Sequence, residues 1–135
     1  MRLSFVFLAL IVLLLSACSG GTAAAQLPEG EWTLTSLNSS PPLEGSTVTI
    51  RFEGNQVSGS AGCNSYGGQL NAGRDGSLTF DNVFSTEMAC MEPEGLMEQE
   101  TTYLQTLTQA ASFTIADGQL ELMNQAGETI MVFSQ

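Results

Sequence analysis

Val48, Ile50 and Phe52 alternate with Thr49 and Arg51, the two-residue period of a strand with one face buried and the other in water. Glu31 to Leu37 reads as a strand too. Glu53-Gly54-Asn55 supplies residues that tolerate positive φ, so Gln56 to Ala61 can return antiparallel. The small side chains of Ser58, Gly59, Ser60, Ala61 and Gly62 predict strong twist or the close approach of another backbone. Gly67-Gly68 and Arg74-Asp75-Gly76 then punctuate a second hairpin running toward Leu78 and Phe80. Phe113 and Ile115 pair with Leu120 and Leu122 across Asp117-Gly118, the strongest hairpin signal in the chain. A turn at Asn124 to Gly127 leads into Thr129 to Phe133. Its consecutive Ile130, Met131, Val132 and Phe133 predict a strand buried on both faces or covered by the helix.

One segment breaks this rhythm. From Pro93 to about Ala110, Leu96, Tyr103, Leu104 and Leu107 recur at helical spacing on one face. Pro93 suits a first turn, and Glu92, Glu94 and Glu98 fall near the positive end of the helix dipole. Glu100 lies on the apolar stripe, where a carboxylate must find donors or stay at the rim. The predicted fold is mainly β (α+β): a small antiparallel, barrel-like sheet of about seven strands with one flanking helix over about 93–110.

The first residues follow a different pattern. Arg2 precedes an apolar run from Phe5 to Leu15 that closes on Leu15-Ser16-Ala17-Cys18, which resembles a bacterial lipobox. Residues 3 to 15 are too few for the roughly 20 apolar residues of a membrane span. Residues 1–17 are therefore expected to be a lipoprotein signal peptide. Residues 18–28 are the lipidated Cys18 and a flexible tether reaching about 15 Å, and residues 29–135 a single domain. An ordinary signal cut nearby, leaving Cys18 unmodified, is the alternative. The expected location is the bacterial cell envelope. In a diderm this is the outer membrane, facing the periplasm; in a monoderm it is the outer face of the cell membrane.

Charge narrows the partners. The chain has 3 basic and 14 acidic residues, and loss of Arg2 with the signal leaves Arg51 and Arg74 alone against all 14. Nucleic acid is excluded as a partner, because two arginines cannot form a phosphate-binding face. The same field attracts a cationic protein or simply keeps the domain soluble. A monomer is expected, joined to the membrane only through its lipid.

With Cys18 in the anchor, Cys63 and Cys90 remain, and in an oxidising envelope an even pair reads as one disulfide. Closing a loop of about 28 residues would contribute on the order of 3.5 kcal/mol. A redox or metal-binding thiol pair lacks the CxxC or histidine it would need. The chain contains no histidine and no lysine, which removes Ser-His, Cys-His, Ser-Lys, Schiff-base and P-loop chemistry. Ser58-Gly59-Ser60-Ala61-Gly62 lacks the first glycine of a nucleophile elbow. Carboxylate pairs such as Asp75 with Asp81 or Glu98 with Glu100 are the one common catalytic type left, and spacing alone does not select them. Neither Asp75 to Asp81 nor Glu92 to Glu100 has the ligand spacing of a calcium loop. No catalytic residue, metal or cofactor is expected.

Trp32-Thr33-Leu34, the run Ser58-Gly59-Ser60-Ala61-Gly62-Cys63-Asn64-Ser65-Tyr66-Gly67-Gly68, and Thr86-Glu87-Met88-Ala89-Cys90 follow one another in this chain. Met97 and Glu100 before Tyr103-Leu104, and then Leu120-Glu121-Leu122, complete the series. Together they resemble the META domain, whose bacterial members are called heat-shock-protein HslJ-like. The resemblance covers nearly the whole mature domain. It implies a β-rich, barrel-like fold with a flanking helix, in envelope lipoproteins linked to stress; it does not imply an enzyme, and it carries over no catalytic residue.

Two readings of the glycine-rich turn stand side by side. In one, Gly62 and Gly67 let the chain turn, Asn64 takes a left-handed conformation or caps neighbouring amides, and Cys63 staples the turn to Cys90. In the other, Asn64, Ser65 and Tyr66 form a rim for a ligand. Glu100 is expected to be hydrogen-bonded near Gly62 to Tyr66, holding that turn against the helix. Trp32, Met88, Met91, Met97 and Met131 read as core or rim packing rather than a binding patch. The function expected is a non-catalytic envelope module related to stress or envelope maintenance. The alternative is an inhibitor of a cationic hydrolase such as lysozyme.

Overall fold

A computed structural model describes residues 26–135. The expected signal peptide, Cys18 and most of the expected tether lie outside the described residues. Eight strands form one antiparallel sheet: β1 Gly30–Leu37, β2 Thr49–Glu53, β3 Gln56–Ser60, β4 Ser65–Ala72, β5 Leu78–Ser85, β6 Ser112–Ala116, β7 Gln119–Met123 and β8 Thr129–Ser134. Among the described residues one helix forms, α1 Leu96–Leu107, which separates β5 from β6. The strand order is β5-β4-β3-β2-β1-β8-β7-β6. Alternation does place the strands: Ile50 and Phe52 are buried while Arg51 and Glu53 are exposed. Asp117 and Gly118 both take positive φ, as a two-residue hairpin between Ala116 and Gln119 requires.

The sheet curls but does not close, so the barrel expectation holds only loosely. The edge strands β5 and β6 touch at one isolated antiparallel bridge, Ser77 to Ser112. Two backbone bonds accompany it, from Leu78 N–H to the Ala111 carbonyl and from Phe113 N–H to the Gly76 carbonyl, each 2.9 Å. Both strands meet at their first residues. Being antiparallel, they run apart from that point and leave nothing further to pair.

Eight strands form rather than about seven because both arms around Arg74-Asp75-Gly76 are full strands. Gly67 and Gly68 do not punctuate that hairpin; they sit inside β4, beside a shift of register between Gly67 and Gln69. Their role is close approach. A Cβ on Gly67 would come within 2.9 Å of the Phe84 ring, and one on Gly68 within 3.1 Å of the Asp81 carbonyl.

The helix is shorter than the expected 93–110. Gly95 stands at its N-cap with φ 86°, outside helical geometry, so Pro93, Glu92 and Glu94 precede the first turn and only Glu98 lies in it. Leu96, Glu100, Tyr103, Thr106 and Leu107 form the buried face, with Leu104 packed at its margin. Strand β8 is covered as its apolar run predicts, with Ile130, Met131 and Phe133 buried. Trp32 and Met131 are core residues, and the Trp32 indole N–H is buried without a partner among the described residues. Met88 and Met91 depart from the packing expectation, being 57% and 84% exposed. They follow the end of β5, where no described element lies over them. Among the described residues no helix is long and apolar enough to cross a membrane.

Candidate functional site

The residues picked out by motif converge where the β3–β4 turn meets the helix. Gly62 has φ 119°, so this position needs glycine for its conformation, and a Cβ there would also lie 2.8 Å from Leu96 Cδ1 and displace it. The turn leaves two amides pointing at α1. Glu100 answers them: its Oε2 accepts from Cys63 N–H at 3.1 Å and from Asn64 N–H at 2.7 Å. Its Oε1 accepts from Asn64 Nδ2 at 2.6 Å. Glu100 is only 5% exposed, so three neutral donors replace the water its carboxylate gave up.

Asn64 continues the network outward. Its Oδ1 accepts from the Thr86 hydroxyl at 2.8 Å and from Met88 N–H at 2.7 Å, and its Nδ2 also donates to the Met88 carbonyl at 3.0 Å. Every polar atom of this side chain is engaged, and the residue is 2% exposed. The left-handed position in the turn is Gly62, not Asn64. The segment after β5 is thereby tied to the turn, and Cys63 and Cys90 bond it covalently, with their Cα atoms 5.8 Å apart. Cys90 N–H points at the Met97 thioether sulfur, 3.5 Å away.

Tyr66 and Tyr103 lie beneath this network. Their hydroxyls are 2.6 Å apart and their rings meet edge to face, with centroids 5.5 Å apart. Tyr66 donates to the Thr49 carbonyl at 3.0 Å, so its single proton is committed and Tyr103 must be the donor between the two phenols. Gly59 makes this path open, because a Cβ there would overlap the Thr49 carbonyl and press on the Tyr66 ring. Burial pushes both hydroxyls above the ordinary phenol value of 10.0. The bond from Tyr103 partly offsets that rise for Tyr66, while the charge and hydrogen bond of Tyr66 add to it for Tyr103. This pairing escaped the sequence reading. Its one signal was Tyr103 standing a helical turn beyond Glu100.

The carboxylates considered as acid–base pairs have separate local partners. Asp75 accepts from the Ser77 hydroxyl at 2.6 Å and the Ser77 N–H at 3.1 Å, which lower its pKa in that order of effect. Asp81 accepts from Asn71 at 2.7 Å. Glu98 is exposed in the first helical turn, whereas Glu100 is enclosed with the β3–β4 turn. Of the proposed rim, Asn64 and Tyr66 are buried and only Ser65 is exposed. Among the described residues, no three acidic or cysteine side chains are grouped to hold a metal.

No curated protein matches the chain. Among solved structures, one determined by NMR is 27% identical, with a TM-score of 0.61, covering 80% of this chain and 90% of its own. An NMR structure of a protein from Burkholderia xenovorans is also 27% identical, with a TM-score of 0.58 over 83% of this chain and 92% of its own. A DUF4847 family protein from Bacteroides vulgatus, 19% identical, shares the fold at a TM-score of 0.50, covering 64% of this chain and 57% of its own. The META domain profile matches residues 25–135, taking in the turn, the helix and every strand described above. The chain belongs to the META domain family.

Proposed function

We propose that the protein is a lipid-anchored, non-catalytic module of the bacterial cell envelope that supports the envelope under stress by binding a partner. The observation that carries this reading is the fate of the motif residues. Gly62, Cys63, Asn64, Tyr66 and Glu100 are spent on one another, on Tyr103 and Thr49, and on the segment after β5, so the motif builds a rigid domain and leaves no activated group at its centre. Leu15-Ser16-Ala17-Cys18 supports the anchor. Leu27 packs against the core, so the chain would leave the domain firmly held at its membrane-proximal end.

The anchor is tested by Cys18→Ser, which removes the acylated thiol. Metabolic labelling with a fatty acid is expected to mark the parent and not the variant, and the variant should move to the soluble fraction. Unchanged labelling refutes the anchor.

Charge favours a second reading, inhibition of a cationic hydrolase. Every charged side chain after Arg74 is acidic, so this part of the chain would attract a basic protein and lose it as salt screens the field. Co-purification with a basic hydrolase at low salt, abolished at high salt, distinguishes an inhibitor from a module with another partner.

A further inference from the structure

Phe84, Met88 and Met91 are 70%, 57% and 84% exposed, and they fall within one short stretch of chain. Folding ordinarily buries large apolar side chains, so three left in water on one short segment supply the apolar part of a contact surface. The stretch is also unusually well held. Thr86 N–H bonds the Ser65 carbonyl at 3.0 Å, Asn64 grips Met88 on both its N–H and its carbonyl, and Cys90 is in the disulfide. A surface fixed in advance loses little conformational freedom on binding. Beside it, the outer edge of β5 beyond Leu78 has no strand partner among the described residues, since β6 departs in the opposite direction.

Charge identifies the occupant. Glu87, Glu92 and Glu94 are exposed within the same segment, and no lysine or arginine follows Arg74. Arg74 itself lies with Gln26, Leu27 and Glu29 around the groove at the Gly54 and Gly73 turns. The eight residues of β4 separate that groove from the β3–β4 turn by about 26 Å at the usual rise per residue. A chain tethered through Gln26 therefore presents the exposed methionines on the side away from its point of attachment.

We propose that Phe84, Met88 and Met91, together with Glu87, Glu92 and Glu94, dock a cationic protein segment that interleaves basic and apolar side chains. The methionines supply adaptable apolar contact, and the glutamates select lysine and arginine. This proposal gives the binding module inferred above its surface and its class of partner, and depends on the anchor only for orientation.

The test uses a fluorescent peptide alternating lysine and leucine, titrated at low salt against the full chain purified in neutral detergent. The parent is expected to bind, and Met88→Ser with Met91→Ser to bind roughly tenfold more weakly. Both methionines are exposed, so the variant should melt with the parent. The control Glu29→Gln with Glu53→Gln removes two exposed charges near the opposite groove and is expected to change binding less than twofold. A lysine–serine peptide should bind more weakly than the leucine one. Absence of parent binding, equal losses in both double variants, or equal affinity for the two peptides overturns the proposal. Hydrogen exchange gives a second readout: the peptide should protect residues 84–94, and protection elsewhere also overturns it. Capture of phosphatidylglycerol vesicles through Met88 and Met91 would assign the surface to a membrane instead. Unchanged labelling of Cys18→Ser would remove the anchor and leave these results standing.

Discussion

At the scale of single residues, a buried carboxylate surrounded by neutral donors decides how the turn sits. Glu100→Gln keeps the shape but removes the charge and replaces an acceptor with a donor facing Asn64 Nδ2. The loss of charge-assisted bonds at a 5% exposed site is expected to cost about 2 kcal/mol, read as a lower midpoint in urea at unchanged slope. Coincident melts would show that the bonds contribute nothing net. The tyrosines allow a second test. Tyr66 and Tyr103 are the only two in the chain. Their folded pKa values lie above the ordinary phenol value, so their contribution to stability is complete below about pH 10 and falls as pH rises further, because the unfolded chain releases protons the folded one retains. Phenolate absorbance should therefore appear together with loss of native circular dichroism. Phenolate forming near pH 10 in a still-folded protein would contradict the buried pair. Glu100 could be placed on the helical stripe from spacing alone. The Tyr103–Tyr66–Thr49 chain could not, because it joins three elements.

At the scale of elements, the disulfide joins two pieces that regular structure does not hold. Cys63 lies between β3 and β4, and Cys90 between β5 and α1. Cys63→Ser with Cys90→Ser should keep the fold at low temperature and lose 2 to 5 kcal/mol, roughly the loss usual for a native bridge in a small secreted domain. Thermal melts of parent and double variant measure it. Two titratable thiols in the unfolded, unreduced parent beyond any at Cys18 would refute the pairing. Strands were legible because a two-residue period survives wherever one face is wet. The helix ends were less so: a favourable run of residues beginning at Pro93 is cut to Leu96 by the conformation of Gly95. Gly67 and Gly68 misled for a related reason. Glycine admits both a turn and the close approach of a neighbour, and only the packed neighbour, Phe84 or the Asp81 carbonyl, tells which.

At the scale of the whole molecule, the acidic balance and the open seam between β5 and β6 shape what the domain can meet. Residues within a hairpin are close in sequence, so period, turn residues and their order located the strands other than β4, whose Gly67 and Gly68 read as a turn. The pairing of the cysteines and the position of Glu100 on its stripe were likewise legible in the sequence. Closure was not. Whether an eight-stranded sheet becomes a barrel depends on the stagger accumulated across every strand pair, and here it brings the first residues of β5 to the first residues of β6, where one bridge forms and the strands diverge. The exposure of Met88 and Met91 was undecided for the same reason. A methionine reads as core until the fold shows that no element lies over it. Composition and periodicity determined the secondary structure and the chemistry the chain lacks, because both are local properties. Tertiary structure alone decided that Asn64 and Tyr66 face inward and that Phe84, Met88 and Met91 face water, because burial depends on contacts between residues far apart in sequence.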